Sequence, residues 1–371
     1  MNGSRATRPS RIFIGALFLL LFTGLGFYAT RFAFFVFSPI HSPNGQGAIV
    51  EVTKGKSPKE LTHLLTANGV IRSDDENNFM MLGRVTRLWK RVKAGEYKFT
   101  PQMTPIEVFR VLTSGVSVLH PITIREGENM YEVADALEEM KLVNHETFLR
   151  LCKDPKFITV LGIKDPQAKS LEGYLFPDTY FLNKAMTAED IVRGMVRKFL
   201  AVWGPEQEAR AKALGMSQHE VVTLASIIEK ETGAPQERPM ISSVFHNRLQ
   251  KKMRLQSDPT TIYGIWDRYD GNLHKADLST ATPYNTYYVP ALPAGPISNP
   301  GREAIHAALF PSQSDFLYFV SHNDGTHEFT ATYDAHLKAV RRFQLDPKAR
   351  DGKSWRDLSK QKQAPAQTHS G

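Results

Sequence analysis

Residues 217–233 read SQHEVVTLASIIEKETG, and the reading of this stretch decides what must surround it. Ser217 followed three residues later by Glu220 is the pattern of a capping box that opens a helix. Val221, Leu224, Ala225 and Ile228 then recur at helical spacing as an apolar stripe. At about 100° per residue, Glu229 falls near one edge of that stripe and Glu231 near the other, while Lys230 points away. An acid on the shoulder of a buried stripe is partly desolvated, which raises its pKa and keeps it protonated near neutral pH. A general acid that protonates a glycosidic oxygen needs that property. The same EKE triplet also reads as a solvated helix end, and periodicity does not choose between the two glutamates.

At 371 residues the chain is long enough for two or three domains. Its 42% hydrophobic and 23% charged residues are ordinary globular usage, which excludes a largely disordered or multi-span protein. The net charge is +8, of which residues 1–40 carry +4 and residues 346–371 carry +3, leaving +1 for the whole middle. A nucleic-acid binder keeps its basic excess in the folded body, so none is expected here as a partner. The single cysteine, Cys152, excludes an intrachain disulfide and a cysteine-based zinc site. No metal and no cofactor is expected; His322 and His327 read as hairpin surface.

Ile12 to Thr30 is an uncharged run, IFIGALFLLLFTGLGFYAT. A bilayer core of about 30 Å needs roughly 20 helical residues, so the run predicts a transmembrane helix at 12–30. It exceeds the apolar core of a cleaved signal peptide, and the bulky RFAFFVF that follows offers no small-residue cleavage site. Arg5, Arg8 and Arg11 precede it, which predicts a cytoplasmic 1–11 and an external remainder. Residues 31–47 read as a linker, with Pro, Gly and Ser concentrated in SPIHSPNGQG.

From 48 to 150 a weak repeat is offset by 72 residues: VTKGKSPKELTHLLTANGVI from Val52 against IREGENMYEVADALEEMKLV from Ile124. Each copy reads as a strand, a glycine turn and an amphipathic helix, so 48–150 is expected to be a small α+β module. Gly55-Lys56-Ser57 is not a phosphate loop, because Val50 stands where that motif needs glycine. Residues 151–345 are expected to form a mixed α+β domain. Its helical part gives way to loops and to a hairpin, FLYFVS–HNDGTH–EFTATY, with Asp324-Gly325 at the turn. Residues 346–371 read as a disordered basic tail.

The loops of this domain are rich in Asn, Gln, Ser, Asp and Tyr: LEGYLFPDTY from Leu171, VFHNRL from Val244, LQSDPTTIYG from Leu255, YNTY from Tyr284 and LPAGPISNPG from Leu292. Amides and carboxylates bond sugar hydroxyls and aromatic faces meet ring C–H groups. Any one loop is equally explained as turn chemistry. Together with LASIIEKET they resemble the endolytic murein transglycosylase (YceG-like) family over about residues 10–345, with Ala294 and Ala291 departing from the usual Pro and Gly.

The resemblance implies that 48–150 is LysM-like and that Glu229 is the catalytic residue. It implies a groove built with Glu172, Tyr174, Gln256, Ser257, Asp258, Tyr284, Asn285 and Tyr287. It further implies a single-pass protein of the bacterial cytoplasmic membrane that cleaves nascent peptidoglycan strands to 1,6-anhydro ends beside membrane-bound synthases. A non-catalytic tether for those synthases, or a muramidase in which a second carboxylate such as Asp258 places water, are the alternatives.

Overall fold

The computed structural model describes residues 10–40, 47–231 and 233–346. Most of the expected cytoplasmic segment, positions 41–46 of the expected linker, and the basic tail from 347 on lie outside the described residues. The chain divides into two compact units, one reaching to His120 and including Asn183–Ala185, the other formed by Pro121–Leu182 and the chain from Met186 on.

The first unit begins with α1 (Ser10–Phe37), followed by β1 (Ala48–Val52), α2 (Pro58–Ala67), α3 (Glu76–Val85), β2 (Gly95–Phe99) and α4 (Pro105–Ser114). Ala16–Phe37 of α1 is long and apolar enough to cross a membrane. The helix runs past the expected end at Thr30 because RFAFFVF contains no breaker before Ser38-Pro39. Residues 31–37 are therefore its last two turns rather than linker, and Phe32, Phe35 and Val36 pack on the core of this unit. β1 and β2 pair antiparallel from Ala48↔Phe99 to Val52↔Gly95. Capping boxes at Ser57/Glu60 and Thr104/Glu107, each with proline in the first turn, start α2 and α4. Phe79 stacks on Phe109 at 4.4 Å and 9°, with Trp89 edge-on to both.

The second unit carries β3 (His120–Thr123), α5 (Met130–Glu139), α6 (His145–Cys152), α7 (Pro155–Val160), β4 (Thr179–Leu182), α8 (Ala188–Val202), α9 (Pro205–Ala213), α10 (Gln218–Glu231), α11 (Arg238–Gln250), α12 (Asp258–Gly264), α13 (Lys275–Leu278), α14 (Arg302–Leu309), β5 (Tyr318–Ser321), β6 (His327–Thr330) and α15 (Tyr333–Val340). β3 pairs with β4. β5 and β6 form the expected hairpin, from Tyr318↔Thr330 to Ser321↔His327, with Gly325 at φ +93° in the turn. His327 is not hairpin surface: its side chain is 9% exposed and its Nδ1 lies 2.7 Å from Glu237. The repeat is real as local structure, since each copy is a strand, a left-handed glycine (Gly55, Gly127) and a helix with a capping box. The copies sit in different units, however. Residues 121–150 belong to the second, where Val133, Leu137, Phe148 and Cys152 join its core.

Helix α10 opens with the expected capping box at Ser217 and Glu220. It is not the striped helix that periodicity predicts, because Val221 through Ile228 are all buried. Helices α9, α11, α12 and α14 pack around it. Two of its buried hydroxyls are satisfied within the helix: the Thr223 hydroxyl donates to the His219 carbonyl and Ser226 to the Thr223 carbonyl. Ser226 also accepts from the Ile297 N–H at 3.0 Å, which fixes the loop before α14. Two residues on, buried Asn299 accepts from the Gly173 and Leu175 N–H groups at 3.0 and 3.1 Å and donates to the Glu128 carbonyl at 2.8 Å. One side chain thus joins three segments that border the end of α10. Asn299→Ala leaves two buried N–H donors unmet at about 1–3 kcal/mol each. The denaturation midpoint of the second unit is expected to fall accordingly, and an unchanged midpoint would show that water replaces the amide.

Candidate active site

Glu229 occupies the last turn of α10, with its side chain 5% exposed. Its Oε1 is 2.7 Å from the guanidinium of Arg238, the first residue of α11. Its Oε2 accepts from the Gly301 N–H at 2.9 Å. Gly301 caps the N-terminus of α14, where the helix dipole favours a negative group. Both partners are donors facing acceptor oxygens, so the two oxygens are held in fixed directions. The loop after β3 closes the other side. Arg238 also reaches Glu126 at 3.6 Å, and the Gly127 backbone lies so near that a Cβ there would be 3.6 Å from Glu229 Cγ. A Cβ on Gly301 would overlap the Glu126 carboxyl, which would have to swing away from its present place. Burial, then the neighbouring Glu229, pushes the Glu126 carboxyl up, while Arg238 opposes.

Glu231, two residues on, faces another loop. Ser257 Oγ donates to its carboxyl, and the Arg248 guanidinium lies nearby. Burial raises Glu231 to about 7, with Asp258 adding to the rise and Ser257 and Arg248 opposing it. The expected desolvated acid of the EKE triplet is therefore Glu231, whereas Glu229 has a cation. Helix α10 has no solvent shoulder from Val221 to Ile228, and the flanking loops alone distinguish the two residues.

The Ser257 loop is knitted to the YNTY motif. Ser257 N–H donates to Thr286 Oγ1 at 2.9 Å, Thr261 to Asn285 Oδ1 at 3.1 Å, and Tyr287 OH to Asp258 at 2.7 Å. Gln256 is exposed with φ +52°, a left-handed backbone that costs a non-glycine residue about 1 kcal/mol or more. Gln256 and Asp258 are exposed and Tyr284 and Tyr287 half-buried, so these four offer surface to a ligand. Ser257 is buried against Glu231.

Besides Ser257, three more expected groove residues have no such surface: Glu172, Tyr174 and Asn285 are 1%, 0% and 0% exposed. Each is consumed by the scaffold. Glu172 accepts from the Met130 N–H at the start of α5 and from Tyr263 OH at 2.8 Å, and burial pushes it up to about 7. Tyr174 OH bonds His219 Nδ1 at 3.0 Å, and the Asn285 amide donates to the Leu278 and Thr280 carbonyls. Glu126, Gly127, Asn299 and Gly301 lie inside stretches that stand out in the sequence, yet nothing there assigns them a role. Arg238 has no sequence signal, because the turn at Ala234-Pro235 breaks helical spacing between it and Glu229. A cavity of about 680 Å³ lies towards the other end of α10, lined by His219, Glu220, Thr223 and His246 among others, and does not include Glu229.

Set beside known proteins, the chain belongs to the YceG-like family, whose sequence profile matches residues 50–342. It is 31% identical over 318 residues to the endolytic murein transglycosylase of Bacillus subtilis (strain 168), covering 82% of this chain and 87% of that one. It is 26% identical to the endolytic murein transglycosylase of Streptococcus pneumoniae serotype 2 (strain D39), covering 82% of this chain and 60% of that longer protein. A crystal structure of a yceG-like protein from Listeria monocytogenes superposes with TM-score 0.54 at 31% identity, over 79% of this chain and 99% of that one.

Glu172 and Glu231 give a pH signature. Both have folded-state values of about 7 against 4.5 for the free side chain. Between those values the unfolded chain has released protons that the folded chain retains, so stability falls as pH rises. The melting temperature of the second unit is expected to drop from pH 5 to pH 8, and Glu172→Gln should flatten that slope. An equal slope in the variant would remove Glu172 from the account.

Proposed function

We propose that the chain is a membrane-anchored endolytic lytic transglycosylase that cuts the N-acetylmuramic acid–N-acetylglucosamine bond of nascent peptidoglycan and so terminates glycan strands. The observation that carries the reading is the setting of Glu229: a carboxyl on the last turn of a helix buried from Val221 to Ile228, held by Arg238 and by the N-terminus of α14, with Gly127 beside it. The names of the relatives supply the substrate class.

Glu229 gives its proton to the glycosidic oxygen as the C1–O bond breaks, and the N-acetylglucosamine leaves with a free hydroxyl. The resulting carboxylate takes the proton of the muramyl C6 hydroxyl as that oxygen bonds C1. One group serves both steps and no water is consumed, unlike the two-carboxylate pattern of most glycosidases. Arg238 and the Gly301 N–H hold the carboxylate between the steps. Gln256, Asp258, Tyr284 and Tyr287 line the groove. The first unit serves as a LysM-like holder of glycan, and α1 anchors the protein in the cytoplasmic membrane beside peptidoglycan synthases.

Glu229→Gln keeps the volume but cannot exchange a proton, a contribution typically worth about 10²–10⁴-fold. Cleavage of purified glycan strands, read by product mass, should be abolished in Glu229→Gln. Asp258→Asn should slow it moderately and Glu231→Gln no more than that. A dead Glu231→Gln beside an active Glu229→Gln would overturn the assignment, and ordinary reducing ends instead of anhydro ends would make water the acceptor. For the anchor, a reporter fused after residue 371 should be active only outside the cytoplasm; activity only inside would reverse the topology.

A further inference from the structure

We infer that the rings of Tyr131, Trp266 and Tyr269 form a stacking platform for the glycan strand, a binding subsite remote from the bond that is cut. The inference rests on the reading of murein as substrate. Tyr131 and Trp266 lie 6.1 Å apart at 18°, and Trp266 and Tyr269 lie 6.5 Å apart at 29°. The three rings form a near-parallel row, and each is half-buried. At about 6 Å the rings are offset, so each keeps part of a face uncovered. Tyr131 on α5 and the pair Trp266 and Tyr269 after α12 come from two segments distant in the sequence, and each ring keeps a part of its area accessible to a ligand.

The position suits a strand that passes Glu229. Tyr131 follows Gly127 by four residues, so their Cα atoms are at most about 14 Å apart, and Gly127 lies against Glu229. The row is held rigidly. Glu172 bonds both the Met130 N–H at the start of α5 and Tyr263 OH near the end of α12, and Tyr263 packs on Tyr131 at 6.1 Å. Buried Glu172 thus fixes the elements that carry Tyr131 and Trp266.

The chemistry of the patch points to a saccharide. The C–H face of a pyranose ring is apolar and weakly positive, and it complements the negative face of an aromatic ring. Around the platform stand Lys153, 5.1 Å from the Tyr131 ring, and exposed Asp267, Arg268 and Asp270. Two cations and two anions make no basic track for a nucleic acid backbone, while they supply donors and acceptors for hydroxyl and acetamido groups. A platform displaced from Glu229 rewards strands long enough to span both places. It therefore favours internal bonds over terminal ones.

The test uses the full chain in detergent micelles. With Trp266→Ala or Tyr269→Ala, the ratio of kcat/KM on long glycan strands to that on a short murein oligosaccharide should fall about tenfold, through KM on the long strands, and Trp266→Phe should recover most of it. A ratio equal to that of the unaltered chain overturns the platform, as does a loss that is equal on both substrates. A calorimetric arm does not depend on cleavage. In the Glu229→Gln background, Trp266→Ala should weaken binding of long uncrosslinked strands about tenfold, and unchanged affinity overturns the platform. If the unaltered chain cuts no strand at all, the functional reading falls, and this arm still decides whether the rings hold glycan.

Discussion

Helix α10 is buried on every side from Val221 to Ile228, and this constrains everything around it. A helix in that position has no water for its polar side chains, so Thr223 and Ser226 turn to carbonyls of their own helix. Ser226 then has a lone pair left, and the Ile297 N–H takes it. The loop that ends at Gly301 is thereby pinned to the helix that carries Glu229. The general rule that buried polar groups are paired becomes, at this point, the device that brings the α14 N-terminus within 2.9 Å of the candidate catalytic carboxyl.

The same economy explains why several polar residues in the conspicuous loops face inward. Asn299, Asn285, Thr286, Glu172 and Tyr263 spend their hydrogen bonds on one another's segments. The second unit has only short paired strands among its described residues, so its long loops lack a sheet ladder to satisfy their backbone. Side-chain amides and hydroxyls perform that task. Exposed Gln256, Asp258 and half-buried Tyr287 are the members of the same network that reach the surface, and the left-handed Gln256 is tolerated because its neighbours are fixed.

Around α10 the two acids of the EKE triplet have opposite surroundings. Glu229 meets a guanidinium and a helix N-terminus, while Glu231 meets a serine hydroxyl, a nearby aspartate and packed protein. For the proton exchange proposed at Glu229, these donors are fixed groups that need not rearrange between steps. A carboxyl buried without an ion-pair partner at hydrogen-bond distance serves the fold and makes it sensitive to pH.

Much of this protein is determined locally and is readable without coordinates. The apolar run of α1, the capping boxes at Ser57, Thr104 and Ser217, the strand–glycine–helix repeat and the Asp324-Gly325 hairpin each depend on residues within a few positions of one another. The family follows from motifs of the same kind. Tertiary structure decided what depends on distant partners. It extended α1 onto the core of the first unit, placed the two repeat copies in different units, and buried all sides of α10 where periodicity implied one. It turned Glu172, Tyr174 and Asn285 inward, and it brought Arg238, Glu126 and Gly301 to Glu229 across breaks in helical spacing. A carboxyl's role is set by the charges and donors within a few ångströms of it, and those come here from segments as far as Glu126, about a hundred residues away in the chain.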